Sequence, residues 1–194
     1  MYRTINLLEK RNYQVLDILL SKFKKINNLS MLEIGCGIGI ESKFFSPFVK
    51  TYVAIDKNPD AITMAIKNKH PIYNNLTFML DDMMDMKIKN HFDIILSINT
   101  IHFSKNYDII FNKMLSLSDL IIITEPRIHP SRWGDDTLNE DSKNFNKDSW
   151  AIKKNILEKE HEYIMKLPDN RDNIRVTYND NDNYRIYSIF INKH

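Results

Sequence analysis

The chain has 194 residues, 43% hydrophobic and 27% charged, with a formal net charge of +2. That is enough for one domain with a substantial core, carries no broad electrostatic footprint for nucleic acid, and contains no apolar run near the ~20 residues that span a bilayer. The single cysteine, Cys36, excludes an intrachain disulfide and a cysteine-based zinc cluster, and the opening residues 1–6 lack the charged-then-apolar pattern of a signal peptide, so a soluble cytoplasmic protein is expected.

Apolar residues at helical spacing, Leu8, Val15, Leu16, Leu19, Leu20 and Phe23, predict an amphipathic helix over residues 5–25 that ends near Asn27 and Asn28. Residues 30–34 read as a short buried strand, followed by a glycine-rich turn and a short helix that stops at Pro47. Residues 51–55 read as a second strand closed by Asp56. Asn58-Pro59-Asp60 then opens a helix to about Lys69, with proline in its first turn. Further strands are expected at 76–80, 92–97 and 120–124, with a helix over 107–117 between the last two. The near-continuous Ile, Leu and Val in these strands suits a parallel sheet buried on both faces, and the strand–helix alternation an α/β layered fold.

After Pro126 the pattern breaks. Residues 126–147 are polar and include His129, Trp133, Asp135 and Asp136. A loop this long inside a compact domain is usually functional or disordered. A helix over residues 148–159 follows, then three β-like runs at 162–167, 174–178 and 184–191, the last two joined across Asn179–Asn183 as a hairpin. No internal repeat or low-complexity linker is present, so residues 1–194 read as a single domain.

Three of the four glycines, Gly35, Gly37 and Gly39, fall in one turn directly after a buried strand. Such a turn lets backbone approach a ligand, and the helix after it presents unpaired N–H groups. Asp56 closes the next strand about twenty residues on, where nucleotide-binding folds place the acid that takes ribose hydroxyls. The dinucleotide spacing G-x-G-x-x-G requires glycine where Ile40 stands, and no Lys-Ser/Thr pair follows, so a pyrophosphate ligand is disfavoured.

Leu32-Glu33-Ile34-Gly35-Cys36-Gly37-Ile38-Gly39 resembles motif I of the class I S-adenosylmethionine-dependent methyltransferases. Tyr52–Asp56 with Asn58-Pro59 resembles their second motif, Phe78–Met86 their third and Phe92–Phe103 their fourth, in order over residues 29–125. The resemblance implies a Rossmann-like, doubly wound α/β fold: a mostly parallel seven-stranded sheet with an antiparallel C-terminal strand. Residues 1–28 would form a helical cap and 126–147 a substrate-side loop.

The cofactor so implied is S-adenosyl-L-methionine, with S-adenosyl-L-homocysteine as product. By the resemblance, Gly35, Gly37 and Gly39, with Cys36 inside the turn, approach its methionine part, and Glu33 lies beneath and helps hold its amino group. Asp56 accepts the ribose hydroxyls and Lys57 packs beside the adenine. Asp82, the best aligned of Asp81, Asp82 and Asp85, accepts from the adenine amino group, with the Met83 N–H facing the ring. Ser97 and Asn99 lie beside the reactive methyl.

Plainer readings stand next to these. Asp56 could cap the helix at Pro59, Asp82 could be a loop acid, and Cys36 is a small filler rather than a nucleophile. His102 fits a general base after strand four or a structural residue over the substrate pocket. Trp133 and Trp150 could line that pocket or pack a lid.

The acceptor is read from what is missing. No proline follows Ser97-Ile98-Asn99-Thr100, as amino-directed nucleic-acid methyltransferases require, and no Pro-Cys nucleophile is present. The acids and lysines of ribose 2′-O enzymes, the paired glutamates of protein arginine enzymes and the metal ligands of catechol-type enzymes are not reproduced, so no metal is expected. An aminopropyl transferase is poorly matched by Asn99. A small-molecule O- or N-methyltransferase for a polar substrate is the expectation. Alternatives are a protein or RNA methyltransferase, docking on Lys22, Lys24 and Lys25 or on Lys153 and Lys154, and a non-catalytic cofactor-binding partner protein.

Overall fold

The computed structural model describes residues 2–104, 106–126, 147–180 and 184–192. Its core is a seven-stranded sheet of β1 (Ser30–Ile34), β2 (Thr51–Asp56), β3 (Leu76–Leu80), β4 (Ile94–Ile98), β5 (Leu120–Pro126), β6 (Ile174–Asp180) and β7 (Tyr184–Ile191). The order is β3-β2-β1-β4-β5-β7-β6. β1 to β5 pair in parallel, and β7 runs antiparallel to both of its neighbours. This is the expected doubly wound α/β sheet, with one reversed strand at the C-terminal end of the chain.

The alternation of each strand divides its apolar residues between two layers. Met31, Ile94, Leu96 and Ile122 pack on one face with Val15 and Leu19 of α1 (Tyr2–Lys22), Phe45 of α2 (Ile40–Phe45) and Ile62 and Ala65 of α3 (Pro59–Lys67). Leu32, Ile95, Ile121 and Ile123 pack on the other with Ile110, Phe111 and Met114 of α4 (Tyr107–Leu117) and Ile164 of α5 (Lys147–Met165). Both faces are therefore covered, which is why these strands carry unbroken aliphatic runs.

Local chemistry sets the boundaries. Asn58 caps α3 by accepting from the N–H groups of Asp60 and Ala61, with Pro59 at the first position. Asn106 caps α4 through the Ile109 N–H. Pro47 does not end the second helix abruptly, because α2 continues into a 3₁₀ turn over Ser46–Phe48. α1 is held down by the buried Arg11, which pairs with Glu41 at 2.5 Å, and by Gln14, which accepts from the Tyr184 hydroxyl at 2.7 Å.

Two expectations need correction. Residues 162–167 are not a strand: α5 continues to Met165, because Ile164 and the half-buried Tyr163 extend its apolar face onto α4 rather than alternating. β4 begins at Ile94, and Phe92 forms only an isolated bridge to Ser118. Residues 127–146, with Trp133, Asp135 and Asp136, lie outside the described residues, as do Asn181–Asn183 of the β6–β7 connection and the Trp150 side chain.

Candidate functional site

The sheet order reverses between β1 and β4, and the carboxyl ends of the parallel strands open there as a crevice. A cavity of about 440 Å³ occupies that position. Its walls are Ile34 and Gly35 at the end of β1, Ile55, Asp56 and Lys57 at the end of β2, Asp81–Met83 after β3, and Ile98–Thr100 with Phe103 at and after the end of β4.

The turn after β1 is built by backbone geometry. The Gly35 and Cys36 N–H groups both donate to the Ile55 carbonyl, at 2.8 and 2.9 Å, and tie the turn to the end of β2. Gly35 has φ +77°, and a Cβ there would meet the Thr100 side chain at 2.2 Å. Gly37 has φ +52°, and a Cβ there would meet nothing within 4 Å. Gly39 lies against the Phe78 ring, which a Cβ would approach to 2.5 Å. Gly35 and Gly39 are therefore required by packing, whereas Gly37 faces open space.

Asp56 joins the two halves of the crevice. One carboxylate oxygen accepts from the Gly37 N–H at 2.8 Å and the other from the Asn58 N–H at 2.9 Å. Carboxylate oxygens have two acceptor sites each, so both retain capacity toward the cavity. Asp82 accepts from the Met84 N–H at 2.9 Å, and Asp81 from the N–H groups of Asp82 and Lys87. Both acids hold the loop after β3 and both line the cavity, so Asp81 joins Asp82 in the wall.

Glu33, Cys36 and Ser97 lie behind this surface. Glu33 is buried and accepts from the Ser42 and Tyr52 hydroxyls. Burial pushes its carboxyl up to about 7, against the lowering effect of those hydrogen bonds. Burial also drives the Cys36 thiol far up, and the nearby Glu33 and Asp56 carboxylates add to this, so it stays protonated as a packing group. The fully buried Ser97 donates to the Ile34 carbonyl at 3.4 Å across the β1–β4 pair.

Asn99 lines the cavity in the left-handed region, with φ +53°, while its N–H donates to the Thr124 carbonyl at 2.7 Å. Asparagine tolerates this conformation better than most residues. Asn99→Ala is expected to lower stability by about 1 kcal/mol and Asn99→Gly to preserve it, as chemical denaturation would measure.

His102 is buried on the 3₁₀ turn Ile101–Phe103 rather than standing in the cavity wall. Its Nδ1 is paired with Glu125 Oε2. The other oxygen of Glu125 accepts from the Thr100 and Ile101 N–H groups at 3.2 and 3.0 Å. Glu125 thus links the cofactor-side cavity to a second cavity of about 230 Å³, which it lines with Glu160, Lys154, Arg185 and Tyr187. Burial raises the Glu160 carboxyl well above the usual range, and the Glu125 charge adds to that.

Sequence reasoning passed over Thr100, Phe103, Glu125 and Glu160. The position of Glu125 at the carboxyl end of a parallel strand was an available signal. Glu160 carries none, since it reads as one more charge in a charged stretch between the expected helix over 148–159 and the run at 162–167.

A family model described as a methyltransferase domain matches residues 25–184. The chain is 24% identical over 143 residues to the malonyl-(acyl-carrier protein) O-methyltransferase of Bacillus cereus, an alignment covering 71% of this chain and 50% of that protein. The chain thus spans about half the length of that curated relative. Among solved structures, the N-methyltransferase NodS from Bradyrhizobium japonicum WM9 has a TM-score of 0.59 at 15% identity, covering 95% of this chain and 96% of that one. The plantazolicin methyltransferase BpumL, in complex with a triazolic desmethylPZN analog and SAH, has a TM-score of 0.67 at 14% identity, covering 85% and 77%. These likenesses establish a shared fold. The family match extends over most of the sequence, on a sheet of this order with its crevice at the β1–β4 reversal, and the chain belongs to the methyltransferase-domain family of the class I S-adenosylmethionine-dependent superfamily.

Proposed function

We propose that the chain transfers the methyl group of S-adenosylmethionine to an oxygen or nitrogen of a small polar molecule. The observation that carries this reading is the cavity at the β1–β4 reversal, bounded by the glycine turn and by Asp56, Asp81 and Asp82. Its volume is within the ~300–1,000 Å³ usual for small-molecule sites. The cofactor fits the residues present: Gly37 faces open space beside a carboxylate that retains acceptor capacity.

In this reading Gly35, Gly37 and Gly39 bring backbone to the methionine portion, with Cys36 filling the turn and Glu33 supporting it from below. Asp56 takes the ribose hydroxyls, while Lys57, Asp82 and Met83 surround the adenine. Ser97 secures the end of β4 beside the methyl group, and Asn99 and His102 serve the acceptor. When bound, the cofactor supplies a methyl already activated by its sulfonium. The chain's own work is then to orient the acceptor and manage its proton. α1 and residues 127–146 would cap the acceptor side, the latter outside the described residues. No helix among the described residues is long and apolar enough to cross a membrane.

Calorimetry with S-adenosylmethionine tests the cofactor half of the reading. Asp56→Ala is expected to weaken binding roughly 100-fold, since two hydrogen bonds to a charged group are lost. Binding unchanged in that variant would refute the assignment. Labelled cofactor incubated separately with small-molecule extract, RNA and protein tests the acceptor class, and label appearing only in the small-molecule fraction is the expected result.

A further inference from the structure

We propose that His102, Glu125 and Glu160 bind a divalent transition-metal cation beside the cofactor cavity. The three residues come from separate elements: the 3₁₀ turn after β4, the end of β5 and the middle of α5. One potential ligand atom from each lies within 4.8 Å of the others, and all three side chains are buried. Glu160 is 1% exposed, and neither of its carboxylate oxygens has a hydrogen-bond partner among the described residues. It lines the smaller cavity together with Glu125.

Two buried carboxyl groups side by side need a shared proton or a compensating charge. Glu125 is paired with His102, whereas neither Glu160 oxygen has a hydrogen-bond partner among the described residues. The Arg185 guanidinium bonds both oxygens of Asp180, at 3.3 and 3.2 Å, and the Tyr187 hydroxyl at 3.3 Å. Lys154 pairs with Glu158 at 3.6 Å. A dication matches the charge of the two carboxylates. Glu125 is already oriented by the Thr100 and Ile101 N–H groups, in the way that hydrogen bonds from surrounding backbone fix metal-binding carboxylates.

The donor set selects the ion. One imidazole nitrogen with two carboxylate oxygens suits Mn²⁺, Fe²⁺ or Zn²⁺, whereas Ca²⁺ and Mg²⁺ favour oxygen alone. Metal–ligand bonds of ~2.0–2.2 Å place donors about 3–3.5 Å apart, so small side-chain rotations close the cluster. Three protein ligands leave coordination positions for a small molecule. The function of the site rests on the methyl-transfer reading: an acceptor hydroxyl or amine held there loses its proton more readily, and His102 acts as a ligand rather than as the base. Binding of the ion does not depend on that reading.

The test uses the whole chain, stripped of metal and titrated with Mn²⁺ while free Mn²⁺ is followed by electron paramagnetic resonance, with Zn²⁺ as competitor. One Mn²⁺ per chain, displaced by Zn²⁺, is expected. Glu160→Gln and His102→Asn should each weaken binding by about tenfold or more. Glu158→Gln, at an exposed position on the same cavity, should leave binding unchanged. Circular dichroism and S-adenosylmethionine binding of each variant separate loss of the ion from loss of the fold. Failure to take up Mn²⁺ stoichiometrically, or equal uptake by Glu160→Gln and His102→Asn, overturns the proposal even where S-adenosylmethionine binds normally. Saturable binding of butylamine without Mn²⁺ uptake also overturns it, because the charge partner would then be an organic ammonium group.

Discussion

Gly35→Ala is expected to lose about 3 kcal/mol of stability, while Gly37→Ala keeps the fold and loses the cofactor. At Gly35 two effects add. The left-handed conformation costs a residue with a Cβ about 1–2 kcal/mol, and overpacking costs about 1–3 kcal/mol more. The clash is with Thr100 Cγ2 and Oγ1 at 2.2 and 2.3 Å, and with Thr100 Cβ at 2.7 Å. Rotating the Thr100 side chain cannot relieve the contact with its Cβ, and it would break the 2.9 Å bond from Oγ1 to the Ile98 carbonyl. Against a typical net stability of about 5–15 kcal/mol this is a large share. At Gly37 only the conformational part remains, because no atom lies within 4 Å of the added methyl. On the methyl-transfer reading the methionine part of the ligand lies against this backbone, and the added methyl would meet it. Urea denaturation and calorimetry with S-adenosylmethionine on both variants check the contrast. Equal loss of stability in the two, or normal cofactor affinity in Gly37→Ala, would show the turn to be purely structural.

Glu33 is expected to make the protein less stable as pH rises from about 4.5 to about 7. Its carboxyl has an ordinary value of 4.5 and sits at about 7 in the folded chain, chiefly through burial. The folded protein therefore holds a proton that the unfolded chain has released across this window. Stability supplied by that proton is present below 4.5 and lost as pH climbs through the folded value, after which the contribution is flat. The full difference is about 3 kcal/mol. Glu33→Gln cannot titrate and still accepts from Ser42 and Tyr52 through its amide oxygen, so its urea midpoint should lack this component. The wild-type minus variant difference, measured from pH 4 to 8, isolates Glu33 from other titrating groups. A difference that does not change with pH would show Glu33 to be ionised throughout.

The crevice at the β1–β4 reversal was legible because its parts are local in sequence. Gly35 to Gly39 form one turn, Asp56 ends one strand, and Asp82 follows another. Each stands at the carboxyl end of a strand whose aliphatic run is itself a strong signal. Once those strands are parallel neighbours, their ends meet at one crevice without further information. Trouble arose where an element carried no clean period. Residues 162–167 offer Tyr163, Ile164, Met165 and Leu167 with no clean alternation, and packing of Tyr163 and Ile164 against α4 shows that the helix continues to Met165.

The cluster of His102, Glu125 and Glu160 was legible only in part: His102 stands out in the sequence as a candidate, while Glu125 and Glu160 come from distant segments with no shared motif. His102, Glu125 and Glu160 meet only because β5 lies next to β4 and α5 packs over both ends. A lone glutamate in a charged helix cannot announce that it is buried. The sequence by itself determined the α/β class, the glycine turn and the acids Asp56 and Asp82 that line the crevice, since periodicity and turn chemistry are properties of neighbouring residues. Only the tertiary structure decided that Gly35 is crowded by Thr100 while Gly37 is not, that Glu33 is held by the Ser42 and Tyr52 hydroxyls, and that His102 is paired with Glu125. These depend on which atoms lie across the fold, and on the loss of water around them.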